Sequence, residues 1–243
     1  MGAALKTYFL PAILLVLSPP AAADADELTP FGTALEAAGF GKIAEDQGVT
    51  VYQDKEARSV RVAAEGEFDG PPEEVLKALL SFERQQRVIK RLSQSWILER
   101  GPDSLVVYQH LNLPVVSDRD YVLNVRWGGD GTARWVSFHA VRQQGPAPRD
   151  GIVRVTDHEG SWQLRPLRGG KATLVRFQMT LDVAGDIPRW LVRIHAGQEV
   201  LDLFASVRKL FASAEYGGSA AGPSCVQDPR ICDRSPRSAR TAG

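Results

Sequence analysis

The chain has 243 residues, 44% of them hydrophobic and 24% charged, and its 29 basic and 29 acidic side chains cancel to a formal net charge of zero. This is the composition of one ordinary globular domain. It excludes the one-sided basic excess of a nucleic-acid binder, so no nucleic-acid partner is expected, and it gives no strong pull toward anionic lipid headgroups.

Residues 1–23 read as a secretory signal peptide. Lys6 precedes the apolar stretch YFLPAILLVL, and Pro19-Pro20 and Ala21-Ala22-Ala23 follow it. Ten apolar residues span only ~15 Å as a helix, about half a bilayer core, so a membrane anchor is the weaker reading. Cleavage after Ala23 is expected, with the mature protein periplasmic or secreted. At the other end, residues 216–243 are rich in Gly, Pro, Ser and Arg and read as a disordered tail. The tail holds both cysteines, Cys225 and Cys232, which could close a small loop in an oxidising compartment. The folded domain is expected over residues 24–215.

Within it, Leu28 to Phe40 reads as a short helix, and Val49–Asp54 and Ser59–Phe68 as strands. Asp69-Gly70-Pro71-Pro72 stops the second strand and opens a helix, with Asp69 as its cap and Val75, Leu76, Leu79 and Leu80 as its apolar face. A second short helix is expected over Gln85–Leu92. Strands follow at Gln94–Glu99, Ser104–Leu113, Arg119–Trp127, Thr132–Val141, Ile152–Pro166 and Thr173–Val183, separated by turn formers such as Gly128-Gly129-Asp130-Gly131. The last alternates most cleanly, with Val175, Phe177, Met179, Leu181 and Val183 on one face. After Ile187-Pro188 the period changes. Ile187, Leu191, Ile194, Leu201, Phe204 and Phe211 recur at helical spacing in one long C-terminal helix. The grouping of strands and helices points to α+β.

Several segments then stand in a familiar order: EDQGVTVYQ, FDGPPEEVLKALL, VVYQHLNLPVVSDRDYVLNVRW, GSWQLRPL before a Gly-rich hairpin, and IPRWLVRIHA. Over roughly residues 40 to 213 the chain resembles the START family of steroidogenic acute regulatory-related lipid-transfer domains. The resemblance implies a helix-grip fold, in which a strongly curved antiparallel sheet wraps the long C-terminal helix and a tunnel between them takes one lipid-like molecule.

Physical reasoning leads the same way. An alternating sheet must bury its apolar face, and one helix of about 24 residues, ~36 Å long, does not fill the groove of a wide curved sheet. Covering ~400 Å² of apolar ligand surface would give ~10 kcal/mol before the costs of association. The candidate ligand-binding residues are Leu105, Val107, Gln109 and Leu111 on one strand, Arg119, Tyr121 and Leu123 on the next, Val175, Phe177, Met179 and Leu181 on the last, and Leu191 and Ile194 on the helix. In RDYVLNVRW periodicity alone does not choose a face; the resemblance favours that of Arg119 and Tyr121. Gln109, and Arg119 with it, is expected to meet a polar end of the ligand; the alternative is that Arg119 pairs with an acid and fixes the loop. Trp127, Trp135 and Trp162 read as packing. His110, His139 and His158 lack metal-ligand spacing, and no cofactor is expected.

The leading function is a non-enzymatic carrier of a sterol, phospholipid or fatty acid, monomeric and in transient contact with membranes. The alternative is a helix-grip enzyme of cyclase or hydrolase type acting on a hydrophobic substrate, although no nucleophile–base pattern is visible. A third reading makes the Arg-containing tail a docking arm for a protein partner.

Overall fold

The computed structural model describes residues 30–113, 116–142, 144–182 and 189–213, with the backbone alone at 189–193. The expected signal peptide, the tail with Cys225 and Cys232, the residues Val183 and Ile187, and the side chain of Leu191 lie outside the described residues.

Helix α1 (Phe31–Ala37) leads into β1 (Phe40–Asp46), β2 (Val49–Asp54) and β3 (Val60–Phe68). Helices α2 (Pro72–Leu80) and α3 (Phe82–Gln85) carry the chain to the far edge of the sheet. There β4 (Leu92–Arg100), β5 (Ser104–Leu111), β6 (Asp118–Asp130), β7 (Ala133–Ala140), β9 (Asp157–Leu167) and β10 (Ala172–Asp182) return strand by strand until β10 pairs with β3. The order is β1-β2-β3-β10-β9-β7-β6-β5-β4, antiparallel throughout; the three-residue β8 (Ile152–Arg154) lies off this path, parallel to the start of β6. The sheet is curved and unclosed, and α4 (Arg189–Ala212) packs across its concave face. This is the α+β helix-grip architecture expected from the sequence. No helix among the described residues is long and apolar enough to cross a membrane.

Local chemistry differs from expectation at several points. Asp69 does not cap α2: Pro71 holds the cap position with extended ψ, Pro72 begins the helix, and Glu73 and Glu74 face its positive end. Gly70 has φ +155°, and a Cβ there would come within 2.3 Å of the Phe211 ring, so the turn can lie flat against the end of α4 only as glycine. Helix α3 forms over Phe82–Gln85, before the segment in which it was expected. Strand β1 was not foreseen, because FGKIAED buries no residue fully and shows no alternation. The single strand read over Ile152–Pro166 is two: β8 pairs in parallel with the start of β6, a pairing that ends with the Val155 N–H donating to the Asp120 carbonyl at 2.9 Å, and β9 then pairs with β7 and β10.

The long helix has the expected length and a different buried face. Ala196, Val200, Phe204, Val207 and Leu210 point into the core, whereas Ile194 is 68% exposed and Leu201 half-buried. The expectation had followed the large apolar residues only. The helix approaches β1 through small ones: a Cβ on Gly197 would lie 3.1 Å from that of Ala44. Arg208 ties the helix to the sheet, donating to the carbonyls of Gln47 (3.0 Å) and Glu67 (2.8 Å) with its guanidinium 5.2 Å from the Phe68 ring centre.

The candidate ligand-binding site

Cross-strand register arranges the concave face in rows. One row runs Ala64, Phe177, Trp162, Val136; the next Val62, Met179, Gly160, Phe138; a third Val60, Leu181, His158. In the first row Trp162 and Phe177 stack at 4.3 Å, and Phe204 of α4 closes on them at 5.5 and 6.5 Å and on Phe68 at 6.0 Å. All four rings are buried, with α2 behind them. This end of the groove is solid core.

The other rows are less closely packed. Gly160 leaves room for the tip of the Phe138 ring, which would stand 2.5 Å from a Cβ at that position. Tyr121, Phe138, Ala140, Met179 and Leu181 pack on the core yet remain half-buried. His158 stands edge-on between Tyr121 (5.1 Å) and Phe138 (5.2 Å). Desolvation alone pushes the Tyr121 phenol above its ordinary range and the His158 imidazole down to about 4, so His158 is neutral at physiological pH. Both residues are half-buried on the concave face, with their polar atoms desolvated. Neither ring nitrogen of His158 has a hydrogen-bond partner among the described residues.

The sequence-selected residues divide between these environments. Val107, Val175 and Phe177 are fully buried and Leu105 and Leu123 nearly so, all as parts of the packed core. Tyr121, Met179 and Leu181 line the open rows, Leu111 is half-buried, and Ile194 stands at the rim. Gln109 is buried, and its Nε2 donates to Gln85 Oε1 (3.0 Å) and Ser95 Oγ (3.1 Å), while Gln85 Nε2 donates to the Leu79 carbonyl (3.0 Å). Arg119 shares the concave face with Tyr121, is 4% exposed, and donates to the Ser117 carbonyl.

The acid beside it, Asp120, points to the opposite face and makes the principal ion pair of this region. Arg154 grips it with Nε and Nη2 at 2.6 and 2.9 Å and also donates to the Pro146 carbonyl. Tyr108 donates to Asp120 at 3.1 Å and receives Arg149 at 2.8 Å. Burial first, and then Asp120, raise the Tyr108 phenol; hydrogen bonding to Asp120 raises the Arg154 guanidinium. Beneath this network Val106, Tyr108 and Val122 form a second small core with Trp96, Leu98 and Val141. The strap before β8 is thereby fastened to the outside of the sheet, and Ser117-Asp118-Arg119-Asp120 begins a strand whose charges serve both faces.

Sequence reasoning missed His158, Phe138 and Gln53. His158 shares parity with Gly160, Trp162 and Leu164, so the alternation of β9 carried the signal. Gln53 follows Val49 and Val51 on the same face of β2; it is 3% exposed and its Nε2 has no partner among the described residues. It lines a hollow of about 450 Å³ with Ile43, Lys55 and Ile194. A second hollow, of about 420 Å³, is lined mainly by outward-parity residues of β3, β7, β9 and β10, among them Arg61, Ser137, His139, Ser161 and Gln178. No group of three potential metal ligands occurs among the described residues.

No protein-family model and no curated protein sequence matches the chain. Solved structures do. A STAR-related lipid transfer protein fragment from Xanthomonas axonopodis superposes with a TM-score of 0.66 at 22% identity, covering 72% of this chain and 99% of that one. Human STARD10 gives 0.65 at 16% identity, with coverages of 76% and 80%. Human StAR-related lipid transfer protein 5 gives 0.64 at 19% identity, with 73% and 90%. The curved sheet, the helix laid across it and these superpositions agree: the chain has the fold of the START lipid-transfer domains.

Proposed function

We propose that the protein binds one hydrophobic, lipid-like molecule between the concave face of the sheet and the first half of α4, and carries it between membranes without chemical change. The observation that supports this reading is the set of half-buried residues Tyr121, His158, Met179 and Leu181 on the concave face, beside a fully packed aromatic core. An apolar space of this kind is favourable to fill with an apolar guest and holds water poorly. The fold shared with lipid-transfer domains supports the same reading. Export of residues 24–243 behind a cleaved leader would place the carrier in the periplasm, where an insoluble molecule must cross water between two membranes. The protein acts as a monomer that touches membranes transiently.

The test is native mass spectrometry of the purified mature protein, followed by organic extraction. A single co-purifying lipid, or saturable 1:1 binding of an added sterol, fatty acid or phospholipid, is expected. An empty protein that binds none of the three removes the proposal.

A further inference from the structure

We propose that the hollow of about 450 Å³ between the β1–β2 hairpin and the second turn of α4 is a head-group site for an anionic amphiphile, Gln53 and Lys55 receiving the charged end and Ile43 and Ile194 the start of the tail. The inference rests on the lipid-binding reading above and adds to it a ligand class and an orientation, with the head at this mouth and the tail directed inward.

Gln53 occupies a position at which β2 has already placed two valines. An apolar residue there would bury without penalty, yet an amide stands in the wall with its donor unsatisfied among the described residues. A buried donor without a partner is uncommon in native proteins and calls for an explanation, and here the amide borders a hollow. The next residue, Asp54, is engaged elsewhere. It accepts from Arg61 at 2.7 Å and from the backbone N–H groups of Glu56 and Ala57 at 3.1 Å each. Those bonds fix the turn that displays Lys55 at the rim, and Lys55 forms no ion pair among the described residues. The apolar side has its own cause. The β1–β2 register slips between Lys42 and Ala44, which turns Ile43 toward α4, where its Cδ1 would lie 3.3 Å from a Cβ on Gly197. Ile194, one of two strongly exposed large hydrophobic residues among those described, faces the same hollow. A carboxylate or phosphate monoester accepts from an amide N–H and sits well beside an ammonium, and an alkyl chain leaving it would run between the two isoleucines.

The experiment is displacement of N-phenyl-1-naphthylamine, an uncharged fluorescent apolar probe, from the full chain at low salt. The competitors are dodecanoate, dodecyl phosphate, 1-dodecanol and acetate. Both anionic C12 compounds are expected to bind about tenfold or more tighter than the alcohol, and acetate not at all. Gln53→Leu should cut that advantage about tenfold, leave dodecanol within about twofold, and leave the melting temperature unchanged or raised, because an orphan polar group has been removed. Lys55→Gln should cut the advantage about threefold and flatten its salt dependence. Equal affinity for dodecanoate and dodecanol, or an undiminished preference in Gln53→Leu, overturns the head-group site while leaving a lipid binder. Acetate binding as tightly as dodecanoate overturns the amphiphile assignment. If neither the probe nor any C12 compound binds, the underlying lipid-binding reading falls instead.

Discussion

At Phe204 the long helix meets three aromatic rings and buries its own completely. About three turns earlier, at Ile194, the same helix exposes most of a large apolar side chain. The sheet beneath changes in step, from Phe177 and Trp162 in one row to Met179, Gly160 and Phe138 in the next, and then to Leu181 and His158. One end of the groove thus holds enough ring volume to close on the helix and the other does not. The closed end anchors the helix, so the open end can be left incompletely packed without loss of the fold. Stability and the proposed binding thus fall to separate parts of one apolar surface.

Truncation breaks this division most directly. Phe204→Ala removes the ring on which Phe68, Trp162 and Phe177 converge and should cost about 3–5 kcal/mol in urea unfolding. Leu181→Ala, made in a row already in contact with open space, should cost about 1 kcal/mol or less, since little new cavity is created. Equal losses at the two sites would show that the groove is uniformly packed.

Acid acts at the open end. His158 titrates near 4 in the folded protein against an ordinary value of 6.5. Above pH 6.5 neither the folded nor the unfolded chain holds a proton there. Between 6.5 and 4 the unfolded chain takes one up and the folded chain does not, so stability falls as pH is lowered through this window, by about 3 kcal/mol in all. His158→Phe keeps the ring between Tyr121 and Phe138 and removes the titration. The difference between wild type and variant in unfolding free energy at pH 7 and pH 4.5 isolates the effect; parallel curves would place the imidazole in contact with water.

Part of this was legible in the residues alone. The strict alternation of Thr173–Val183 identified β10 and its buried face, and the change of period after Pro188 identified α4. Less legible was everything set by small or polar groups. Glycine and alanine steer α4 onto β1, so reading the helix by its large residues put Ile194 in the core when it stands exposed at the rim of the hollow. Strand β5 is buried on both faces, and its run LVVY carries no periodic clue that a strap held by Arg154 and Asp120 covers the outside. Gln109 shows how far a sequence pattern reaches. The strand's parity identified a buried amide correctly, but the partners that satisfy it, Gln85 and Ser95, come from other elements and only the fold brings them together.

That amide gives the next comparison. Gln109→Leu deletes two hydrogen bonds and leaves Gln85 Oε1 buried without its donor, an expected loss of about 2 kcal/mol. Adding Gln85→Leu should return part of it, because the stranded acceptor is then gone, although the bond to the Leu79 carbonyl is lost as well. A double-mutant cycle measures the coupling. Affinity for an apolar ligand is expected to stay within about threefold in both variants, since the amide nitrogen is already occupied by protein; a tenfold fall would make Gln109 a ligand contact.

The smallest change in stability should come with a complete loss of binding. Met179→Trp adds ring volume beside Gly160 and Phe138, in the row next to the aromatic core. In the packed row such an insertion would force side chains from their rotamers at a cost of about 1–3 kcal/mol. In the open row the indole has space to enter, so the unfolding free energy should move by less than about 1 kcal/mol. The space it takes is the space proposed for the ligand, and probe binding should disappear. Phe177→Trp serves as the counterpart one row away, where overpacking should lower stability and leave the hollow unoccupied. If the two variants exchange these effects, the boundary between core and cavity lies on the other side of Gly160; if Met179→Trp destabilises as strongly as Phe177→Trp, the open row holds no room for a guest.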